Sequence, residues 1–266
     1  MTRAKTNTIS SGQLACLLVV SRLTGALLND SVSLVQFVCE LAVTIVFSIL
    51  VLIAERVNFR VNKIFLAAAF FALAAADCVS YISFTKIVAH PEVPVAVISV
   101  LIAAFSLYAG LLGSEAVARF SALALLFAAA CVLVAVITNI PAMRVEFLKY
   151  NKAEKIDVLS LVKCLDVPVI YALFSPHTAS KKGRALLLGT AIPYAVSAGA
   201  IISCRALLGK TAYIYSSPIF ALFQLAKAGS FTKLDIMYIC TVLVLLFCEV
   251  SLAVSAFKLL KREVKP

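Results

Sequence analysis

The chain is a succession of long apolar runs parted by short polar ones. Eight of the runs are long enough to cross a bilayer as helices, which takes roughly 20 residues at 1.5 Å rise each. They are about Ile9–Asn29, Ser31–Ala54, Ile64–Val88, Val93–Leu112, Ala116–Ile140, Ile156–Phe174, Ala185–Leu208 and Leu234–Phe257. The strict alternation of a membrane β-barrel is absent. The pattern predicts an all-α polytopic membrane protein of about eight transmembrane helices in a single integral membrane domain, 1–266. Asn29-Asp30 is short enough to make spans one and two a tight hairpin, and Gly113-Ser114-Glu115 does the same for spans four and five. Pro141–Lys155 reads as a short interfacial helix. Lys210–Lys233 carries an apolar island, Ile219–Leu225, too short to span, which reads as an amphipathic or re-entrant piece over the mouth of the bundle.

Two spans are interrupted by polar or helix-breaking residues. Span one holds Arg22, Thr24 and Gly25 in close succession. Lipid cannot hydrogen-bond a bare backbone, so an opened helix there needs protein or trapped water. Span six holds Lys163, Asp166 and Pro168; the proline removes a backbone donor and clashes with the preceding turn, so 166–169 is the expected break. Interrupted helices in spans one and six are the pattern of an inverted-repeat transporter, whose half-helix ends face a substrate near the midplane. On that reading residues 1–140 form a first five-helix repeat and 156–257 a shortened second one.

Composition agrees with the pattern. Hydrophobic residues make up 63% and charged ones 14%, against about 45–50% and 25% in soluble domains. The net charge of +11 lies mostly in short groups between the apolar runs, which suits orientation against anionic lipids and not nucleic-acid binding. The Lys/Arg bias places both termini in the cytoplasm. The N-terminus lacks the small-residue cleavage site of a signal peptide. Eight cysteines lie almost all inside apolar runs without a CxxC pair, and His90 and His177 stand alone, so no metal site, disulfide framework or cofactor is expected. Without a nucleophile–base constellation or phosphate loop, the chain is not read as an enzyme and has no catalytic residues.

Ionisable groups inside spans are costly, roughly 2.5–3.5 kcal/mol each on insertion scales, and mark candidate sites. They are Arg22, Glu40, Asp77, Lys163 and Asp166, with pairings open between Arg22 and Asp77 or Glu40, and between Lys163 and Asp166 or Asp77. Asp77, Ser80 and Tyr81 in span three, and Tyr238 and Thr241 in span eight, each share a helical turn and either line a cavity or bond helix to helix.

Four stretches carry a family resemblance. They are Ile9-Ser10-x-x-Gln13-Leu14 before the Gly-containing first span; Tyr108-Ala109-Gly110 through Glu115-Ala116-Val117-Ala118-Arg119-Phe120-Ser121; Ser175-Pro176 followed by Lys181-Lys182; and Pro218 with Gly229-Ser230-Phe231-x-x-Leu234-Asp235. In order and spacing the chain resembles the spore germination permease family, the integral-membrane B subunit of bacterial nutrient germinant receptors, within the amino acid–polyamine–organocation transporter superfamily. The resemblance implies a leucine-transporter-like helical bundle, here with eight spans against the usual ten. It implies a small polar nutrient, such as an amino acid, held between helices one and six and signalled to a large A-type membrane subunit and a lipoprotein C-type subunit. The location implied is the inner membrane of a spore-forming bacterium. By position the ligand-binding residues would be Leu23, Thr24, Gly25 and Ala26, Asp77 and Tyr81, Asp166, Val167, Pro168 and Val169, and Tyr238 and Thr241. The family's Gly-x-Glu-like segment in span six is Val167-Pro168-Val169 here, and Asn29-Asp30 stands near the place of its proline after span one. Alternative functions are a proton-coupled secondary transporter of amino acids or organic cations, working through Asp77 or Glu40, and a non-binding structural subunit of a membrane complex.

Overall fold

A computed structural model describes residues 9–28, 32–57, 62–86, 94–149, 156–178, 181–215, 217–226 and 234–264. The Asn29-Asp30 turn, Gly229-Ser230-Phe231 and residues 150–155 of the expected interfacial helix lie outside them. The described residues form α1 (Ser11–Leu27), α2 (Leu34–Arg56), α3 (Lys63–Phe84), α4 (Val95–Leu112), α5 (Ser114–Asn139), α6 (Val158–Lys163), α7 (Asp166–Phe174), α8 (Lys182–Leu208), α9 (Pro218–Leu225) and α10 (Asp235–Val264). Six helical stretches are long and apolar enough to cross a membrane, with α6 and α7 counted as one; α1 and Ala96–Leu112 are shorter apolar helices. Each of the eight expected runs overlaps one of these stretches, but six of the eight, not all, have the length of a membrane crossing among the described residues. Among the described residues there is no sheet, and Ile9 and Thr178 form an isolated bridge that ties the start of α1 to the end of α7.

α2 is amphipathic in the inverse sense of a soluble protein's helix. The buried residues of α2 are Gln36, Glu40, Thr44 and Ser48, one per turn, while Val38, Ile45, Val46, Ile49 and Leu50 face outward. Buried polar positions under an apolar exterior are what a lipid solvent selects. In α5 the inward stripe is mostly small: Ala118, Ser121, Ala124, Ala128 and Ala135, which lets its neighbours approach. Gly113, at φ 111°, makes the one-residue turn between α4 and α5 with a backbone that disfavours any side chain.

α1 sits at the centre, packed against α5, α7, α8 and α10. Its start is specified locally by Ser10 and Gln13. The Ser10 hydroxyl accepts the Gln13 amide at 3.1 Å, and the Gln13 side chain accepts the Ser10 amide at 2.9 Å. The expected interruption of this helix does not occur: α1 runs unbroken through Arg22, Thr24 and Gly25. The reason is energetic. A glycine costs a helix about 1 kcal/mol relative to alanine, whereas each backbone group freed in a dry interior costs several. The Thr24 hydroxyl returns to the Val20 carbonyl at 2.8 Å and leaves the ladder intact.

Span six is interrupted, but upstream of the expected 166–169. α6 ends at Lys163 and α7 starts at Asp166, with Cys164 and Leu165 between them. Pro168 is still the cause. Its ring meets the carbonyl four residues earlier, that of Cys164, and it offers no N–H to it. That carbonyl lies 3.3 Å from the Thr44 hydroxyl of α2. Pro168 itself is the third residue of α7, where a helix has no use for the missing N–H. The island at 219–225 is helical, as α9, and buried: Phe220, Leu222 and Phe223 join the core beneath Tyr238.

Candidate functional site

Two apolar clusters fill the bundle. One gathers Leu14, Leu17, Leu18, Phe70, Val167, Ile170 and Leu252; the other gathers Leu23, Leu27, Tyr81, Phe220, Tyr238 and Leu245. Between them along α1 and α10 lies a layer of charge: Arg22, Glu40, Asp77, Asp166 and Glu249, each at most 4% exposed, with Lys163 at its edge. Glu40, Asp77, Lys163, Asp166 and Glu249 sit on helical stretches long enough to cross a membrane, and Arg22 on the shorter apolar α1.

Arg22 Nη2 meets Glu40 Oε2 at 2.5 Å, and the guanidinium stacks 5.0 Å from the centre of the Tyr194 ring. Gln36, one turn before Glu40 on α2, donates to Glu40 Oε1 at 3.0 Å and also to the Asp157 carbonyl at 3.2 Å; its own oxygen accepts the Asp157 amide at 2.9 Å. The Tyr194 hydroxyl lies 2.6 Å from Thr44 Oγ1 and 3.0 Å from the Glu40 carbonyl. Arg22 is therefore held on two sides, yet its Nε has no hydrogen-bond partner among the described residues.

Lys163 Nζ lies 2.7 Å from Asp77 Oδ1 and donates to Ser80 Oγ at 2.8 Å. Gly25 brings bare backbone against these charges: a Cβ there would stand 3.4 Å from Asp77 Oδ2 and 3.7 Å from Arg22 Nη1. Asp166, at the first turn of α7, accepts the Val167 amide at 2.6 Å. Ser21 Oγ lies 3.3 Å from Asp166 Oδ2 and 3.1 Å from Glu249 Oε1 on α10.

A crevice opens beside the Arg22–Glu40 pair, between α1, α2, α8 and α9. It is lined by Arg22, Ala26, Gln36, Glu40, Ser197 and Ile219, among others. Water centres fit over about 20 Å³ of it, room for about one water and too little for an amino acid in this conformation.

Of the sequence-derived site residues, Gly25, Asp77 and Asp166 come together in the charged layer, and Ala26 lines the crevice. The others are placed elsewhere. Leu23, Tyr81 and Tyr238 belong to one apolar cluster, with the Tyr238 hydroxyl donating to the Leu27 carbonyl at 2.5 Å. Val167 is in the other cluster, with half-buried Val169 against it. Thr24 and Thr241 bond back to their own helices, and buried Pro168 is in the first turn of α7. Of the open pairings, Arg22 with Glu40 and Lys163 with Asp77 are formed. The structure adds Glu249, Ser21, Gln36 and Tyr194 to the site. For Glu249 the signal was present, an acid in the apolar run LLFCEVSLAV; the others are ordinary polar residues until their neighbours are known. Compared with known protein families and with curated proteins, the chain matches none.

Proposed function

We propose that the chain is a small-solute-binding membrane subunit of the nutrient-germinant receptor kind, and that the solute enters at the Arg22–Glu40 pair. The observation that carries this reading is a buried, oppositely charged pair at the wall of a crevice, with one guanidinium N–H still unpartnered. An amino acid carries the complementary pair: its carboxylate suits Arg22, its ammonium suits Glu40, and each replaces the partner that the other loses. Admitting it requires α2 to move away from α1 and α8, because the crevice is too small as it stands. A ligand favours that opened state only by binding it better. Such a shift is what a receptor passes to A-type and lipoprotein C-type subunits. The assignment to the germinant-receptor family and to a leucine-transporter-like bundle rests on the four sequence stretches. An unbroken α1 sets the proposed pocket between α1, α2 and α8, away from the α1–α7 contact.

The test is thermal stability of the purified protein against a panel of L-amino acids. At least one should raise Tm in the wild type and fail to do so in Ser197→Leu, which fills the crevice without touching a charge. A flat response across the panel would remove the basis for the reading. The second reading is a proton-coupled transporter, favoured by the layer holding more carboxyl groups than cations. Accumulation of the same solute in proteoliposomes under an imposed pH gradient decides for it; binding without uptake decides for the receptor.

A further inference from the structure

The charged layer contains four carboxyl groups, Glu40, Asp77, Asp166 and Glu249, and two cations, Arg22 and Lys163. Arg22 lies against Glu40 and Lys163 against Asp77. Asp166 and Glu249 remain, and both lean on the hydroxyl of Ser21, at 3.3 and 3.1 Å. A hydroxyl has one proton to give. If both carboxyl groups were ionised, Ser21 would donate to one and turn its lone pairs on the other, inside a dry core. If one carboxyl group carries a proton, the three groups form a continuous chain: acid O–H to Ser21 Oγ, and Ser21 O–H to the remaining carboxylate. Asp166 has a backbone N–H at 2.6 Å and the field of Arg22, so it suits the carboxylate role. Glu249 has neither, and its Oε2 has no hydrogen-bond partner among the described residues. The charged or titratable groups that face Glu249 are Asp77 and Cys78 on α3, Lys163 on α6, Asp166 on α7 and its neighbour Cys248 on α10. Among the described residues no three His, Cys, Asp or Glu converge as metal ligands.

We infer that Asp166, Ser21 and Glu249 hold one exchangeable proton between α7, α1 and α10, forming a proton site separate from the solute crevice. Transfer is balanced within the chain. The Glu249 O–H bond breaks toward Ser21 Oγ as the Ser21 proton passes to Asp166, and no charge is created. Loss of the proton to water would leave two adjacent carboxylates that repel, driving α7 away from α10. The inference is independent of which solute, if any, enters beside Glu40.

Infrared difference spectroscopy of the protein in lipid nanodiscs tests it, with no solute added. The wild type should show the carbonyl stretch of a buried protonated carboxylic acid at neutral pH. Glu249→Gln should abolish that band, Ser21→Ala should shift it by removing its hydrogen bond, and Glu55→Gln, at the exposed end of α2, should leave it unchanged. Absence of the band in the wild type, or its persistence unaltered in Glu249→Gln, would overturn the inference. If Glu249→Gln does not fold, the Ser21→Ala shift decides: a shifted band supports the proton chain and an unshifted one refutes it. A sodium-dependent rise in wild-type Tm without the acid band would place a metal cation there instead.

Discussion

Arg22 and Glu40 illustrate what a single buried charge demands. Each lies inside an apolar helix with almost no exposure, and each makes sense only beside the other. Removing one partner strands the other, which typically costs about 3–5 kcal/mol, while replacing both with apolar groups of similar size often costs little. Glu40→Leu alone should therefore lower Tm far more than Arg22→Met combined with Glu40→Leu, measured by thermal unfolding in detergent. Equal losses in the two would mean the pair is not coupled. Asp157 lies just before the membrane-length stretch Val158–His177, at the N-cap of α6. Its carboxylate accepts from the Ser160 hydroxyl at 2.6 Å and from the Leu159 and Ser160 amides at 3.0 and 3.2 Å. The Ser160 contact leads in holding this carboxyl group below its ordinary range. A lowered value means the cap is fully present above the ordinary carboxylate range and is lost as pH falls through the lowered one. Asp157→Ala should cost about 1 kcal/mol at neutral pH, and that deficit should shrink in strong acid; a deficit that does not change with pH would contradict the cap.

Among elements, the kink between α6 and α7 and the tight crossings of α1 with α8 and α4 with α10 carry the next expectations. Pro168 frees the Cys164 carbonyl, and Thr44 sits where it can answer it. Thr44→Val should destabilise by about 1 kcal/mol in the wild type. The loss should be smaller when Pro168→Ala has restored a backbone donor, and a double-mutant cycle on Tm reads the difference; strict additivity would disconnect the two residues. The crossings depend on missing side chains. A Cβ on Gly189 would stand 2.5 Å from Leu18 Cβ, and one on Gly110 would stand 2.6 Å from Val254 Cβ. Gly189→Ala and Gly110→Ala should each destabilise by about 1–3 kcal/mol through overpacking, despite alanine's better helix propensity. A neutral or raised Tm would show that these helices can part without loss.

For the whole molecule, orientation is the first quantity to measure. The Lys/Arg bias predicts the α7–α8 connection inside and the segment after α5 outside. In intact cells Lys149→Cys should react with a membrane-impermeant maleimide and Lys181→Cys should react only after lysis; the reverse pattern would invert the topology. The positions of the helical runs were legible from the residues alone. A lipid environment forces every backbone group into its own helix, so length and hydropathy, both local, determine where helices run. The same rule flagged Arg22, Glu40, Asp77, Lys163 and Asp166 as costly, and it reaches Glu249 equally well. What only the tertiary structure decided is who neutralises whom. Arg22 could have met Asp77, and Lys163 could have met Asp166; helix rotation and crossing placed Glu40 and Asp77 there instead. Because α2 supplies Glu40, the cost of burying Arg22 is met by another helix, and α1 has no reason to unwind. Local sequence carries the charge and the glycine, but whether they break a helix depends on a neighbour that no local pattern names.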